Sequence, residues 1–174
     1  HLDIYLYEEG SMAIREKLER DELDFGIVII SDASASLQLL PMSRNQIMAC
    51  IPEKHPLAAH QSISINDIAN ADLIMLKEGS FLRQLVLSKI KRANIAPEIV
   101  LESNQIETVK GLIASNVGIA FLLDFIAKGA PGIKAVPFDE PLYVDLGLAW
   151  KKDRYISNAA QSFIDFCRTT MQNG

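Results

Sequence analysis

Cysteine, basic residues and long apolar runs are all scarce in this sequence of 174 residues. The two cysteines, Cys50 and Cys167, share no short motif spacing, so neither a zinc site nor a disulfide framework is indicated. Lysine and arginine number 17 against 22 aspartates and glutamates, and the net charge of −5 argues against a chain that coats phosphate backbones. No apolar stretch approaches the roughly 20 residues of a membrane span. The first residues lack the basic and apolar regions of a signal peptide, so a cytoplasmic location without a membrane partner is expected.

The motifs of common enzyme and cofactor sites are also missing. The nine glycines never form G-x-G-x-x-G or G-x-x-x-x-G-K-S/T, and no G-x-S-x-G occurs. His55 and His60 stand five residues apart in a predicted loop, a poor spacing for metal ligands, and are interpreted as exposed histidines. Cys50 and Cys167 lie in apolar patterns that are typical of core thiols. The sequence therefore predicts no enzyme activity, no cofactor and no metal site.

The hydrophobic residues, 49% of the chain, alternate between strand and helix patterns. A period-two pattern predicts a half-buried strand over 2–7, and the nearly all-apolar segment 25–30 predicts a strand that is covered on both faces. Helices are predicted to begin at Ser11, after Ser80 and after Asn104, and another closes the chain. The second and third of these helices are predicted from apolar stripes at helical spacing, 82, 85, 86 and 90 in one and 106, 109, 112 and 113 in the other. Further strands are predicted over 37–42, 47–52, 73–76, 99–101, 118–122, 133–136 and 143–150. This alternation predicts an α/β fold with mixed, mainly parallel sheets.

Three of these helix starts carry polar residues directly after a predicted strand. Ser11, Ser80 and Asn104 each have a side chain that is suited to capping a helix. Because ligands settle at the carboxyl edge of open α/β sheets, and helix N-termini attract anions, these positions favour a site for a carboxylate. Ordinary capping is the alternative interpretation of each residue taken singly.

The order of several short motifs resembles the effector-binding domain of LysR-type transcriptional regulators. The stretches that carry this resemblance are 9–27, with Glu9-Gly10-Ser11 and Asp24-Phe25-Gly26; 51–58, with His55-Pro56-Leu57-Ala58; 73–102; 109–120; and 148–166. Each motif alone is weak, whereas their order and spacing over nearly the whole chain are specific. Asn116 departs from the pattern, because the family usually has glycine there. The chain also begins at what resembles the family's second strand, so the first strand–helix unit and the DNA-binding module are expected to precede it.

The resemblance implies two Rossmann-like subdomains with a cleft between them, similar to type 2 periplasmic binding proteins. Regulatory subdomain I is predicted over 1–71 and 147–174, and regulatory subdomain II over 72–146. A small, carboxylate-bearing effector is expected in the cleft. The residues whose positions match the family's ligand pocket are Ser11, Ile30, Ser31, Ser103, Asn104 and Gln105, and Ser80 and Arg83 are expected as neighbours of that pocket. Arg83 is interpreted either as the charge partner of an anionic effector or as a surface or hinge residue.

The resemblance also implies the partners of the protein. It implies a homodimer, which becomes a tetramer in the full-length regulator, and DNA contact only through a helix-turn-helix module outside this chain. The basic clusters at 89–92 and 151–154 are interpreted as solvated faces, and Trp150 as a packing residue. A solute-binding protein of a transport system is the alternative function, and an enzyme on the same fold is a third. An N-terminal helix-turn-helix or a signal peptide would separate the first two readings.

Overall fold

The computed structural model describes residues 4–30 and 35–172, and it describes residues 171 and 172 by their backbone alone. The helices are α1 (Ser11–Glu19), α2 (Phe81–Arg92), α3 (Ile106–Ala114), α4 (Asp124–Ala127) and α5 (Asn158–Gln172). The strands are β1 (Gly26–Ile30), β2 (Leu37–Pro52), β3 (Asp72–Met75), β4 (Glu98–Glu102), β5 (Ala120–Leu123) and β6 (Ile133–Lys151). Short 3-10 helices span Pro56–Ala59 and Ile65–Ile68. The α/β fold class that the sequence predicts is confirmed.

The chain divides into two compact units. Unit 1 comprises His1–Ser43 and Asp145–Gly174, and unit 2 comprises Arg44–Val144. The strands β2 and β6 each carry the chain from one unit into the other, since both boundaries fall inside them. The first boundary lies well before the predicted division at residue 71, because the second half of β2 pairs with β5 and Ile63 bonds to Pro137 and Asp139. The division into regulatory subdomains stays a prediction.

Unit 1 is a sheet with a helix on each face. β1 runs antiparallel to β6, with Val28 opposite Gly147. One face packs against α1 through the buried residues Ile14, Leu18, Val28, Leu37 and Ala149. The other face packs against α5 through Leu148, Trp150, Ile164 and Cys167. This confirms the interpretation of Trp150 as a packing residue, since its side chain is only 5% exposed.

Unit 2 contains the parallel pair β3 and β4 and the antiparallel pair of β2 with β5. Its core is formed by Cys50, Ile74, Val109, Ile113, Ala120, Leu122, Ala127 and Ile133. α2 presents the stripe Leu82, Val86 and Ile90 to the interior, which confirms its predicted apolar face. Because β3 and β4 are parallel, the loops that lead into α2 and α3 leave the same edge of this pair.

The strand predictions need correction in three regions. The strand expected over 2–7 is absent from the described residues 4–7, whose Ile4 and Leu6 side chains are exposed and have no paired strand. A period-two pattern forms a strand only where a neighbouring backbone accepts its hydrogen bonds. The segments predicted as separate strands at 37–42 and 47–52 join into β2, and those at 133–136 and 143–150 join into β6. The intervening residues, which include polar side chains and prolines, remain extended.

Candidate functional site

The loops before α2 and α3 are bonded to each other in unit 2. The Asn104 Oδ1 atom accepts a hydrogen bond from the Lys77 backbone N–H at 2.9 Å, and the Ser103 N–H donates to the Met75 carbonyl at 3.0 Å. Within the second loop, the Gln105 N–H donates to Ser103 Oγ at 3.1 Å. We call this arrangement, together with Ser80, Arg83 and Glu102, the edge network. It brings five of the predicted site residues to the carboxyl edge of β3 and β4.

Arg83 is the most constrained charged group of the edge network. Its Nη1 atom lies 2.6 Å from Glu102 Oε1 and donates to the Leu76 carbonyl at 2.7 Å. The Arg83 side chain is 13% exposed and the Glu102 side chain 41%, so the guanidinium is shielded from solvent while its carboxylate partner is partly exposed. The guanidinium therefore ties the β3–α2 loop to the last residue of β4. Its positive charge is already compensated by a carboxylate within the protein.

The predicted helix caps were right at one position of three. Ser80 caps α2, because its Oγ accepts a hydrogen bond from the Arg83 N–H at 3.4 Å. Asn104 is not the cap of α3: that position belongs to Gln105, whose side chain makes no capping bond. Ser11 is the first residue of α1 after the cap Gly10. The side-chain oxygen atoms of Asn104 and Ser11 instead accept hydrogen bonds from the backbone of another segment. These bonds compete with helix capping for the same oxygen atoms.

Unit 1 holds the remaining predicted site residues. Ser11 Oγ accepts a hydrogen bond from the Ile29 N–H at 2.7 Å, which fixes the start of α1 beside β1. Ile30 ends β1 and is half-buried. Ser31 lies outside the described residues. The structure therefore joins Ser11 to the end of β1, and it joins Ser80, Arg83, Ser103, Asn104 and Gln105 in the edge network.

Glu102 and Lys77 belong to the edge network and were not among the predicted site residues. Glu102 pairs in register with Met75 at the end of β4, which carries its carboxylate to the loop that Arg83 spans. The feature that could have located Glu102 is the parallel pairing of the short strands β3 and β4, which end at the same edge. The cavity behind Arg83 holds only about 10 Å³, room for one water molecule at most.

The cysteines and histidines serve packing and local bonding. Cys50 and Cys167 are buried, which confirms their interpretation as core thiols, and burial raises the pKa of Cys50 to about 12. His55 is not a plain exposed histidine, because its Nδ1 accepts from the Leu57 N–H and caps a 3-10 helix. Among the described residues, no group of three or more metal-ligating side chains comes together. In the same part of the chain, no helix is both long and apolar enough to cross a membrane.

Comparison with known proteins adds the family. A sequence model of the LysR substrate binding domain matches residues 1–172. The chain belongs to this family. The effector binding domain of QuiR, solved in complex with shikimate, superposes with a TM-score of 0.83 at 25% identity, covering 95% of this chain and 79% of that one. The regulatory domain of Synechocystis PCC6803 CcmR, in complex with 2-PG, gives a TM-score of 0.84 at 25% identity over 94% of this chain and 81% of that one.

Curated relatives of this LysR domain are transcriptional regulators. The HTH-type regulator YybE of Bacillus subtilis is 29% identical over 164 residues, which are 94% of this chain and 56% of that protein. The hydrogen peroxide-inducible genes activator of Haemophilus influenzae is 26% identical over 143 residues, 80% of this chain and 48% of that protein. The chain thus spans about half the length of the relatives it matches. The periplasmic-binding-protein-like type 2 fold expected from the sequence is confirmed by these structural neighbours.

Proposed function

We propose that this chain is the ligand-sensing regulatory domain of a bacterial LysR-type transcriptional regulator, which controls DNA-dependent transcription in response to a small effector. The match of the family model over residues 1–172 is the observation that carries the proposal. It is supported by two structural neighbours that were solved with small molecules bound. The curated relatives are HTH-type regulators, which favours this function over a solute-binding protein of a transport system and over an enzyme.

The proposed effector is a small organic molecule that bears a carboxylate, bound in the cleft between the two regulatory subdomains. Its proposed contacts are the predicted residues Ser11, Ile30, Ser31, Ser80, Arg83, Ser103, Asn104 and Gln105. Support comes from the edge network, which gathers hydroxyl, amide and backbone groups at the carboxyl edge of a parallel strand pair. Arg83 contributes mainly by holding the loops, since Glu102 already compensates its charge.

The proposed response is a shift between conformations. An effector drives such a switch only through its higher affinity for one state over the other. We propose homodimerisation of the regulatory domain, a tetramer of the full-length regulator and DNA contact through a helix-turn-helix outside this chain. A two-fold pairing is the commonest closed arrangement of identical subunits.

Calorimetry on this chain with a panel of small carboxylates, including shikimate and 2-PG, tests the proposal. For a carboxylate that binds, Asn104→Ala is expected to weaken binding by about 1–2 kcal/mol, roughly five- to thirty-fold, through a lost hydrogen bond to an anion. Asn70→Ala is the control, since Asn70 is exposed in unit 2 outside the edge network. Equal affinities of the two variants would remove Asn104 from the site. If no carboxylate of the panel binds, the proposal that the effector bears a carboxylate is wrong.

A further inference from the structure

A second cavity lies within unit 1, away from every residue proposed above. It has a volume of about 140 Å³ and forms where the start of β1, the end of β6 and the first turn of α5 meet. The residues that define it are Phe25, Trp150, Arg154, Tyr155, Ser157 and Ala160. A cavity of about 150 Å³ in an engineered protein core accommodates benzene, so this volume suits one ring.

Aromatic side chains supply one side of this cavity. The Phe25 and Trp150 rings meet edge-to-face, with centroids 6.4 Å apart and planes at 69°. Phe25 also packs on Phe163 at a centroid distance of 5.3 Å, which holds its ring in place. Tyr155, by contrast, is 86% exposed and has no ring partner among the described residues. Rings prefer edge-to-face or offset contacts with other rings, so an aromatic guest gains from this lining.

The charges beside the cavity are compensated within the protein. Arg154 Nη2 lies 2.6 Å from Asp24 Oδ1, and its Nη1 donates to the Leu23 carbonyl at 3.0 Å. Lys151 forms an ion pair with Asp21. Ser157 Oγ accepts from the Ala160 N–H at 3.2 Å, so the first turn of α5 is already capped. An anionic guest would compete with Asp21 and Asp24 for these cations, whereas an uncharged guest would leave both ion pairs in place.

We propose that this cavity is an accessory binding site for an uncharged single-ring aromatic molecule with one polar substituent. The ring lies against Phe25 and Trp150, and the substituent stays at the polar rim beside Arg154 and Ser157. A ligand with so few atoms is expected to bind in the millimolar range. None of the residues that line this cavity belongs to the predicted ligand set, so binding here is tested separately from binding of the proposed effector.

Fluorescence tests this site directly, because Trp150 is the only tryptophan of the chain. Titration of the chain with phenol, read as Trp150 emission, is expected to give a saturable change, whereas benzoate at the same concentrations binds at least ten-fold more weakly. Ala160→Leu fills the cavity and is expected to weaken phenol binding at least ten-fold. Ala159→Leu makes the same change at the neighbouring, exposed position and should preserve it.

Two results would overturn the accessory site: a phenol response that does not saturate, or equal binding by the Ala160→Leu and Ala159→Leu variants. Stronger binding of benzoate than of phenol would overturn the uncharged class of ligand. Far-ultraviolet circular dichroism and a melting curve establish that each variant is folded. If Ala160→Leu fails to fold, Ala160→Val takes its place in the same comparison. Calorimetry with carboxylates at the effector site reads out separately, so failure here leaves the proposed function intact.

Discussion

Arg83 shows how burial and pairing change the meaning of a charged residue. A free arginine at a sheet edge attracts an anionic ligand, whereas Arg83 is 13% exposed and bonded to Glu102 and to the Leu76 carbonyl. Because the guanidinium is shielded, removal of Glu102 would leave its positive charge poorly compensated. Arg83 therefore acts on a ligand through the loops that it holds. The sequence left both roles open, because Glu102 is 19 positions away along the chain and only the pairing of β3 with β4 brings it near.

Cys50 is expected to be inert towards thiol reagents in the folded protein. Its side chain has no exposure, and burial raises its pKa from 9.0 to about 12, so at pH 8 its thiolate fraction is roughly a thousand-fold below that of a free cysteine. In a Cys167→Ala variant, which isolates Cys50, labelling by a disulfide reagent should be slower than that of a free thiol by at least this factor. Urea should restore the free-thiol rate.

The same pKa sets the direction of a pH effect on stability. The pKa of the Cys50 thiol is higher in the folded protein than in the unfolded chain. The contribution of this difference to the free energy of unfolding is therefore fully present below about pH 9 and is lost as the pH rises towards 12. Oxidant sensing needs an accessible thiolate, which Cys50 does not offer. Rapid labelling of Cys50 without denaturant would contradict both its burial and this argument against peroxide sensing.

At the scale of elements, the close approach of Gly118 to β3 is a specific requirement of unit 2. A Cβ atom at Gly118 would lie 2.6 Å from the backbone oxygen of Asp72, which also accepts from the Ile119 N–H at 2.8 Å. Gly118→Ala must push these backbones apart, so we expect a loss of about 1–3 kcal/mol of unfolding free energy in urea titrations. Gly111→Ala is the control: nothing lies within 4 Å of its Cβ position in α3, and a gain of about 0.5–1 kcal/mol is expected. Equal stability of the two variants would refute the close contact.

Helix ends show which elements are predictable from sequence and which are not. Apolar stripes located α2 and α3 correctly, because burial of one helix face depends on spacing within the helix itself. The C-terminal ends of the helices follow a residue preference that is visible in the sequence, because asparagine and aspartate tolerate a positive φ. Asp21, Asn94 and Asn116 take positive φ values just after α1, α2 and α3. At Asn116 the φ of 61° explains why asparagine can stand where the family usually has glycine.

The lengths of β2 and β6 and the bonds of Asn104 were not predictable in the same way. β2 and β6 run through polar residues and prolines, and their pairing with distant segments keeps these residues extended. Asn104 has a good capping side chain, yet the Lys77 N–H, 27 residues earlier in the chain, takes its oxygen atom. The tertiary structure determines whether such a side chain bonds to a local or to a distant partner. A sequence pattern therefore predicts which positions belong to the candidate site but not the hydrogen bonds that their side chains make.

At the scale of the whole molecule, the distribution of charge bears on DNA. Half of the six basic residues in the two clusters found in the sequence lie in ion pairs: Lys89 lies 3.8 Å from Glu140, Lys151 pairs with Asp21, and Arg154 pairs with Asp24. Non-specific DNA binding comes from free cations that replace counterions along the phosphates. The net charge of −5 and these three ion pairs both weaken the attraction of the chain to phosphates.

This chain alone is therefore expected not to bind duplex DNA specifically. Fluorescence anisotropy with labelled duplexes of different sequence should show no saturable binding at about 200 mM salt, and at most weak, sequence-independent binding at about 50 mM. The double variant Asp21→Asn/Asp24→Asn releases Lys151 and Arg154 and lowers the negative charge, so its binding at low salt should be stronger but equally unselective. That comparison separates masked cations from a recognition surface. A sequence-dependent signal from the unmodified chain that persists at the higher salt concentration would show that it reads DNA itself.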